Sequence, residues 1–192
     1  MDLLPIVEAI QNTGFAEWMR MSRKGLPIIN WMHVVAITTV FGTIFVVDLR
    51  LLNYPNASRS FTRLSEEMLR WTWGAFALAV ITGLMLFAAN AVTYYNNTAF
   101  WLKMGAIVLA GINMAVFQFL TFRSVTHWDR DRPTPVAARA AGAMSILLWL
   151  SVIFLGRWIG FTKGYNFEVP DEIEEDLFDF GMRLIEAVSG FG

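Results

Sequence analysis

Residues 30–53 read NWMHVVAITTVFGTIFVVDLRLLN. Between Trp31 and Leu52 the only ionisable side chains are His33, Asp48 and Arg50. A helix of about 20 apolar residues crosses roughly 30 Å of hydrocarbon, so this run predicts a membrane span. Charged and titratable groups inside such a span are costly and usually have a task. His33 and Asp48 therefore set the question of function as the oily background sets the fold.

The rest of the chain agrees. Of 192 residues, 56% are hydrophobic and only 16% are charged, against about 25% charged in a soluble domain. Four stretches are long enough to span: Leu26–Val47, Trp71–Val92, Phe100–Phe122 and Ala137–Gly160. Trp31, Trp71, Trp73, Tyr94, Tyr95, Trp101 and Trp158 stand near their ends, as an interfacial aromatic belt requires. The expected fold is all-α: a four-helix transmembrane bundle over residues 26–165 with amphipathic interfacial helices at both ends, 1–25 and 166–192. The short TYYNNTA link predicts that the second and third spans form a tight antiparallel hairpin. Small residues (Ala75, Ala79, Ala106, Ala110, Gly111, Gly142, Ser145) sit at spacings that let helices approach closely.

Charge placement gives the orientation. Arg50, Arg59, Arg63 and Arg70 follow the first span, and Arg123, Arg130, Arg132 and Arg139 follow the third. The positive-inside rule puts both loops in the cytoplasm and both termini outside, the expectation for a bacterial inner-membrane protein with periplasmic ends. Arg20, Arg23 and Lys24 run against this assignment. The net charge of −1 hides an acidic end, where residues 168–192 hold eight acids against Arg183 alone. That segment reads as a solvated amphipathic helix or as a docking surface for a basic membrane-complex partner. Neither composition nor charge points to nucleic acid. The chain has no cysteine, which excludes thiol catalysis, disulfides and iron–sulfur clusters. The N-terminus lacks the pattern of a signal peptide. No GxSxG, Walker A or HExxH motif is present, so no enzyme class is indicated.

Asn30, His33, Ile37, Phe41, Ile44 and Asp48 share one helical face. At a depth similar to His33 fall Asn90, Lys103 and Arg157, together with Met32, Met85 and Met104. One imidazole, two cations and several thioethers suit a haem b with His33 as axial ligand and its propionates on Lys103 and Arg157. They also suit a copper ion held by His33 with Met32, Met85 or Met104, or an anionic organic ligand over the two cations. The plain alternative is that His33 hydrogen-bonds structurally, to Asn30 or to a facing carbonyl, while Lys103 and Arg157 snorkel to the interface. His127 belongs to the opposite side of the membrane and cannot share a metal with His33 within one protomer. In SVTHWDRDRPTP, Asp129 and Asp131 are expected to pair with Arg130 and Arg132, and Asp48 with Arg50. Asn113 and Gln118 in the third span read as packing residues or as the lining of a path.

Three stretches, HVVAITTVFGTIFVVDLRLL, FWLKMGAIVLAGINMAVF and AGAMSILLWLSVIFLGRWIGF, resemble a family of small, largely uncharacterised bacterial four-span inner-membrane proteins. More distantly they are similar to the membrane domain of copper-resistance D-type proteins. The resemblance covers about residues 30–160, implies the four-span fold, and points at His33, Asp48, Lys103, Asn113, Trp149 and Arg157. Three functions follow as expectations: a binding or redox module at His33, a non-catalytic scaffold or accessory subunit (a homo-oligomer or part of a complex), and a small transporter or channel.

Overall fold

The computed structural model describes residues 3–54, 60–129 and 132–162. Two short helices, α1 (Leu4–Gln11) and α2 (Gly14–Met21), precede the long α3 (Gly25–Leu51) and α4 (Phe61–Ala89). A single-turn α5 (Ala91–Tyr95) leads into α6 (Thr98–Val116), which loosens into a π-helical turn and a 3₁₀ turn ending at His127. The last described element is α7 (Val136–Thr162). Four helices are long and apolar enough to cross a membrane. Their outer faces present Leu84, Val108, Leu147 and Phe154, each more than half exposed, which only a lipid surround makes favourable. This is an all-α, multi-pass membrane protein. The expected acidic C-terminal helix, 166–192, lies outside the described residues.

α4 starts ten residues before the predicted Trp71, because FTRLSEEMLR continues the helix below the apolar run. Ser60 caps it by accepting from Arg63 N at 3.3 Å. Asp129 then completes the start of the helix. Its carboxylate accepts from Thr62 N, Thr62 Oγ1 and Ser60 Oγ, all at 2.7 Å, where the helix dipole also favours negative charge. Arg50 Nη2 donates to the carbonyl of Asp129 at 2.9 Å and Arg50 Nη1 to Thr134 Oγ1 at 3.2 Å. Partial burial acts to raise the Asp129 pKa. The Thr62 N–H, the Ser60 and Thr62 hydroxyls and the Arg50 charge overcome it and hold the carboxyl below its ordinary value.

This clasp corrects one sequence expectation. Asp129 binds the N-terminus of α4, while Arg130 and Asp131 of the expected pairs lie outside the described residues. Arg50 serves Asp129 and Thr134, not Asp48. Residues two positions apart on a helix are rotated by about 200°, so Asp48 and Arg50 leave α3 in nearly opposite directions. α3 itself ends on Asn53, whose φ of 62° places it in the left-handed region that asparagine tolerates. Tyr54 N reaches Leu49 O at 2.9 Å and Asn53 N reaches Arg50 O at 3.1 Å, the paired bonds of a Schellman stop. Asn53 Oδ1 accepts from Thr134 N and Oγ1 at 3.0 and 2.8 Å.

At the other end, α1 and α2 fold back onto the bundle. Met19, fully buried, packs with Ile29 and Ala89, flanked by Met85 and Leu86. Arg20 Nη1 donates to Gln11 O at 2.8 Å and to Ala89 O at 3.0 Å, closing the C-terminus of α4 where a cation suits the dipole. The charge that weighed against the orientation is thus a helix cap.

The helices pair as α3 with α4 and α6 with α7, joined through α3 and α7. Small residues set the distances. A Cβ on Gly142 would lie 3.0 Å from Leu51 Cβ and 3.2 Å from the carbonyl oxygen of Asp48, so only glycine lets α7 approach α3 this closely. α4 and α6 share few backbone contacts, but at their turn the Phe87 and Phe100 rings stack at 5.5 Å, with Tyr94 of α5 against both. Away from that turn a crevice opens between them.

Candidate functional site

His33 points from α3 into α4. Its Nδ1 lies 2.9 Å from Thr82 Oγ1, and a Cβ on Gly83 would meet its Cε1 at 3.0 Å. Thr82 directs its own proton to Leu78 O at 2.7 Å. Its oxygen therefore accepts from His33 Nδ1–H, and the imidazole keeps the tautomer with a lone pair on Nε2. Lys103 is near enough to act electrostatically on His33, and its Nζ would stand 3.7 Å from a Cβ on Gly156.

The other residues of the sequence-derived set disperse. Arg157 is exposed, with its guanidinium 4.8 Å from the centroid of the Phe161 ring. Asn30 is exposed, and Met32 and Met104 are half-buried on α3 and α6. Met85 packs beside Met19 and Ala89, and Asn90 ends α4. Among the described residues no group of three His, Asp or Glu side chains converges as a metal site.

The cavity lies elsewhere, in the half of the bundle next to the arginine-rich loops. It measures ≈ 290 Å³ and is lined by all four long helices. His33 is not part of it; fifteen helical residues put Asp48 about 22 Å away. The floor is made by Val40, Asp48, Leu51, Ser65, Ala110 and Ser145, all buried. Leu69, Trp73, Met114 and Gln118 form the mouth. They are exposed on the edges of α4 and α6 that do not pack together. The opening therefore faces sideways, toward lipid.

Asp48 is the singular member. It is 5% exposed, and its Oδ2 is buried with no hydrogen-bond partner; a hydrogen bond from Ser145 supports the carboxyl. A buried polar atom without a partner forfeits about 1–3 kcal/mol, more when charged. Such groups persist where they serve a ligand or a mechanism. Asn113, flagged from sequence, donates Nδ2–H to Ala141 O at 3.0 Å and lines the cavity with Gln118 and Trp149.

Sequence reasoning placed Asp48 on the right face but gave it a partner. The signal against that partner was present. No cation stands at the helical neighbours Ile44, Leu51 or Leu52, and Arg50 is two residues on. Ser65 and Thr72 were missed because small hydroxyl residues in a span look like ordinary packing.

Comparison with curated proteins and with solved structures found no match. The model of a family of unknown function, DUF6644, matches residues 25–162, the span of the four-helix bundle with His33, Asp48 and Lys103 inside it. The chain belongs to that family.

Proposed function

We propose that this protein is a membrane-embedded binding protein whose crevice takes up a mainly apolar molecule from the lipid phase. The observation that carries the reading is the unpartnered Asp48 Oδ2 at the floor of a cavity of ≈ 290 Å³. Ligand sites are mostly apolar concavities of about 300–1,000 Å³ with a few placed polar groups, and this one matches at the small end. The lateral mouth between α4 and α6 supports entry from the bilayer.

The test is calorimetric titration of dodecan-1-ol into protein in nanodiscs, with protein-free nanodiscs subtracted. Gly111 borders the cavity, and a Cβ there meets nothing within 4 Å. Gly111→Leu therefore adds bulk at the crevice from a position with room for its Cβ. Saturable binding in the wild type that is lost in Gly111→Leu supports the reading; signal equal to protein-free discs in both defeats it.

A haem b or copper ion on His33 is the second reading. What favours it is the tautomer fixed by Thr82, which leaves Nε2 as a donor. A visible spectrum of protein expressed with added haem, and copper analysis of the same sample, decide it. Neither a Soret band nor copper would end this reading without touching the first.

A further inference from the structure

Hydrogen-bond directions around the crevice specify what Asp48 lacks. Ser65 directs its hydroxyl proton to Thr62 O at 2.9 Å. Thr72 and Thr43 lie 2.8 Å apart and each also reaches a carbonyl of its own helix, Met68 O and Thr39 O, at 2.9 Å. Their protons are satisfied within the protein whichever of the two donates. Asn113 turns Nδ2 to Ala141 O, which leaves Oδ1 as its available group. Ser65, Thr72 and Asn113 therefore present lone pairs to the cavity, and Asp48 adds a carboxyl oxygen with no partner. Among the described residues no Lys, Arg or His lines the space.

The remaining wall is aromatic and aliphatic, with Phe61, Trp73, Phe76 and Trp149 among its members. Aromatic faces attract cations, most strongly when desolvated. Lone pairs at the floor under a largely aromatic and aliphatic wall are complementary to a hydrocarbon body carrying a positively charged N–H donor. A bare metal cation fits less well, because it would leave the apolar wall uncovered.

From this juxtaposition we infer that the crevice binds a lipophilic amine in its ammonium form. The N–H group sits on Asp48 Oδ2, and the hydrocarbon lies between α4 and α6. The inference rests on the binding reading above and names its ligand class. Arg50 does not compete for the carboxylate, since its guanidinium is held by Thr134 Oγ1 and the Asp129 carbonyl.

The experiment titrates dodecylamine, dodecan-1-ol, sodium dodecanoate and NaCl into wild-type and Asp48→Asn protein in nanodiscs, with protein-free discs subtracted. The wild type is expected to prefer dodecylamine over dodecan-1-ol by at least about 30-fold, the scale of a buried charge pair. Dodecanoate is expected to bind worst. Asp48→Asn should bring the amine-to-alcohol ratio near one. Equal binding of amine and alcohol to the wild type overturns the inference and leaves the binding reading standing. Displacement of amine by Na⁺ as effectively as by a second amine also overturns it. Absence of any saturable binding removes both. The wild-type comparison decides the matter even if Asp48→Asn fails to fold.

Discussion

Replacing Asp48 with leucine should make the ligand-free protein more stable, the opposite of the usual result for a buried residue. The side chain is 5% exposed and its Oδ2 lacks a partner. Leucine has nearly the same branching and carries methyls where the carboxyl oxygens stood. Removing an unsatisfied buried acceptor recovers about 1–3 kcal/mol. Ser145 loses the carboxyl as a partner, but a helical serine can turn its hydroxyl to a carbonyl of the preceding turn, as Ser151 does to Leu147 O at 2.8 Å. No compensating loss of similar size is therefore expected. For a chain of this length, each kcal/mol moves the midpoint by about 2–4 °C, so Asp48→Leu should unfold roughly 2–12 °C higher. The assay is loss of helical circular dichroism on heating in nanodiscs without added amine, with Asp48→Asn alongside. A midpoint lowered by several degrees in Asp48→Leu would refute the reasoning. It would show that Asp48 holds the bundle together and does not wait for a ligand.

Three further outcomes follow from named contacts. Asp129 has a depressed folded-state pKa. Its contribution is thus fully present above the unfolded carboxyl value of about 3.9 and is lost as pH falls through the folded value. Asp129→Asn should flatten that acid limb of thermal stability, and an unchanged limb would contradict the clasp. Gly142→Val should destabilise by about 1–3 kcal/mol, since even a Cβ would meet Leu51 Cβ at 3.0 Å and the Asp48 carbonyl at 3.2 Å; wild-type behaviour on heating would place α7 farther from α3. Arg20→Ala should cost about 0.5–2 kcal/mol by uncapping Ala89 O. Faster amide exchange confined to the α4–α5 junction is the expected signature, and unchanged exchange there would argue against docking of α1 and α2.

What the sequence determined by itself was the number and placement of spans. In lipid every backbone N–H and C=O must be satisfied inside its own segment, so length and hydropathy suffice, and residues 30–53 already contain the answer. The acidic and basic blocks and the amphipathic start were legible for the same reason: each is a local pattern. Rotation and pairing of the helices were not local. His33 and Lys103, seventy residues apart, come within electrostatic range because their helices turn these faces inward, whereas Arg157, beside the Gly156 that faces Lys103, turns outward. Asp48 and Arg50 are adjacent in sequence and separated in space by the helical pitch alone. Lipid gives little hydrophobic preference for one pairing over another. Close approach at Gly142, the clasp at Asp129 and the cap from Arg20 therefore chose which helices touch. Those contacts turned an oily helix with an awkward acid into the floor of a crevice.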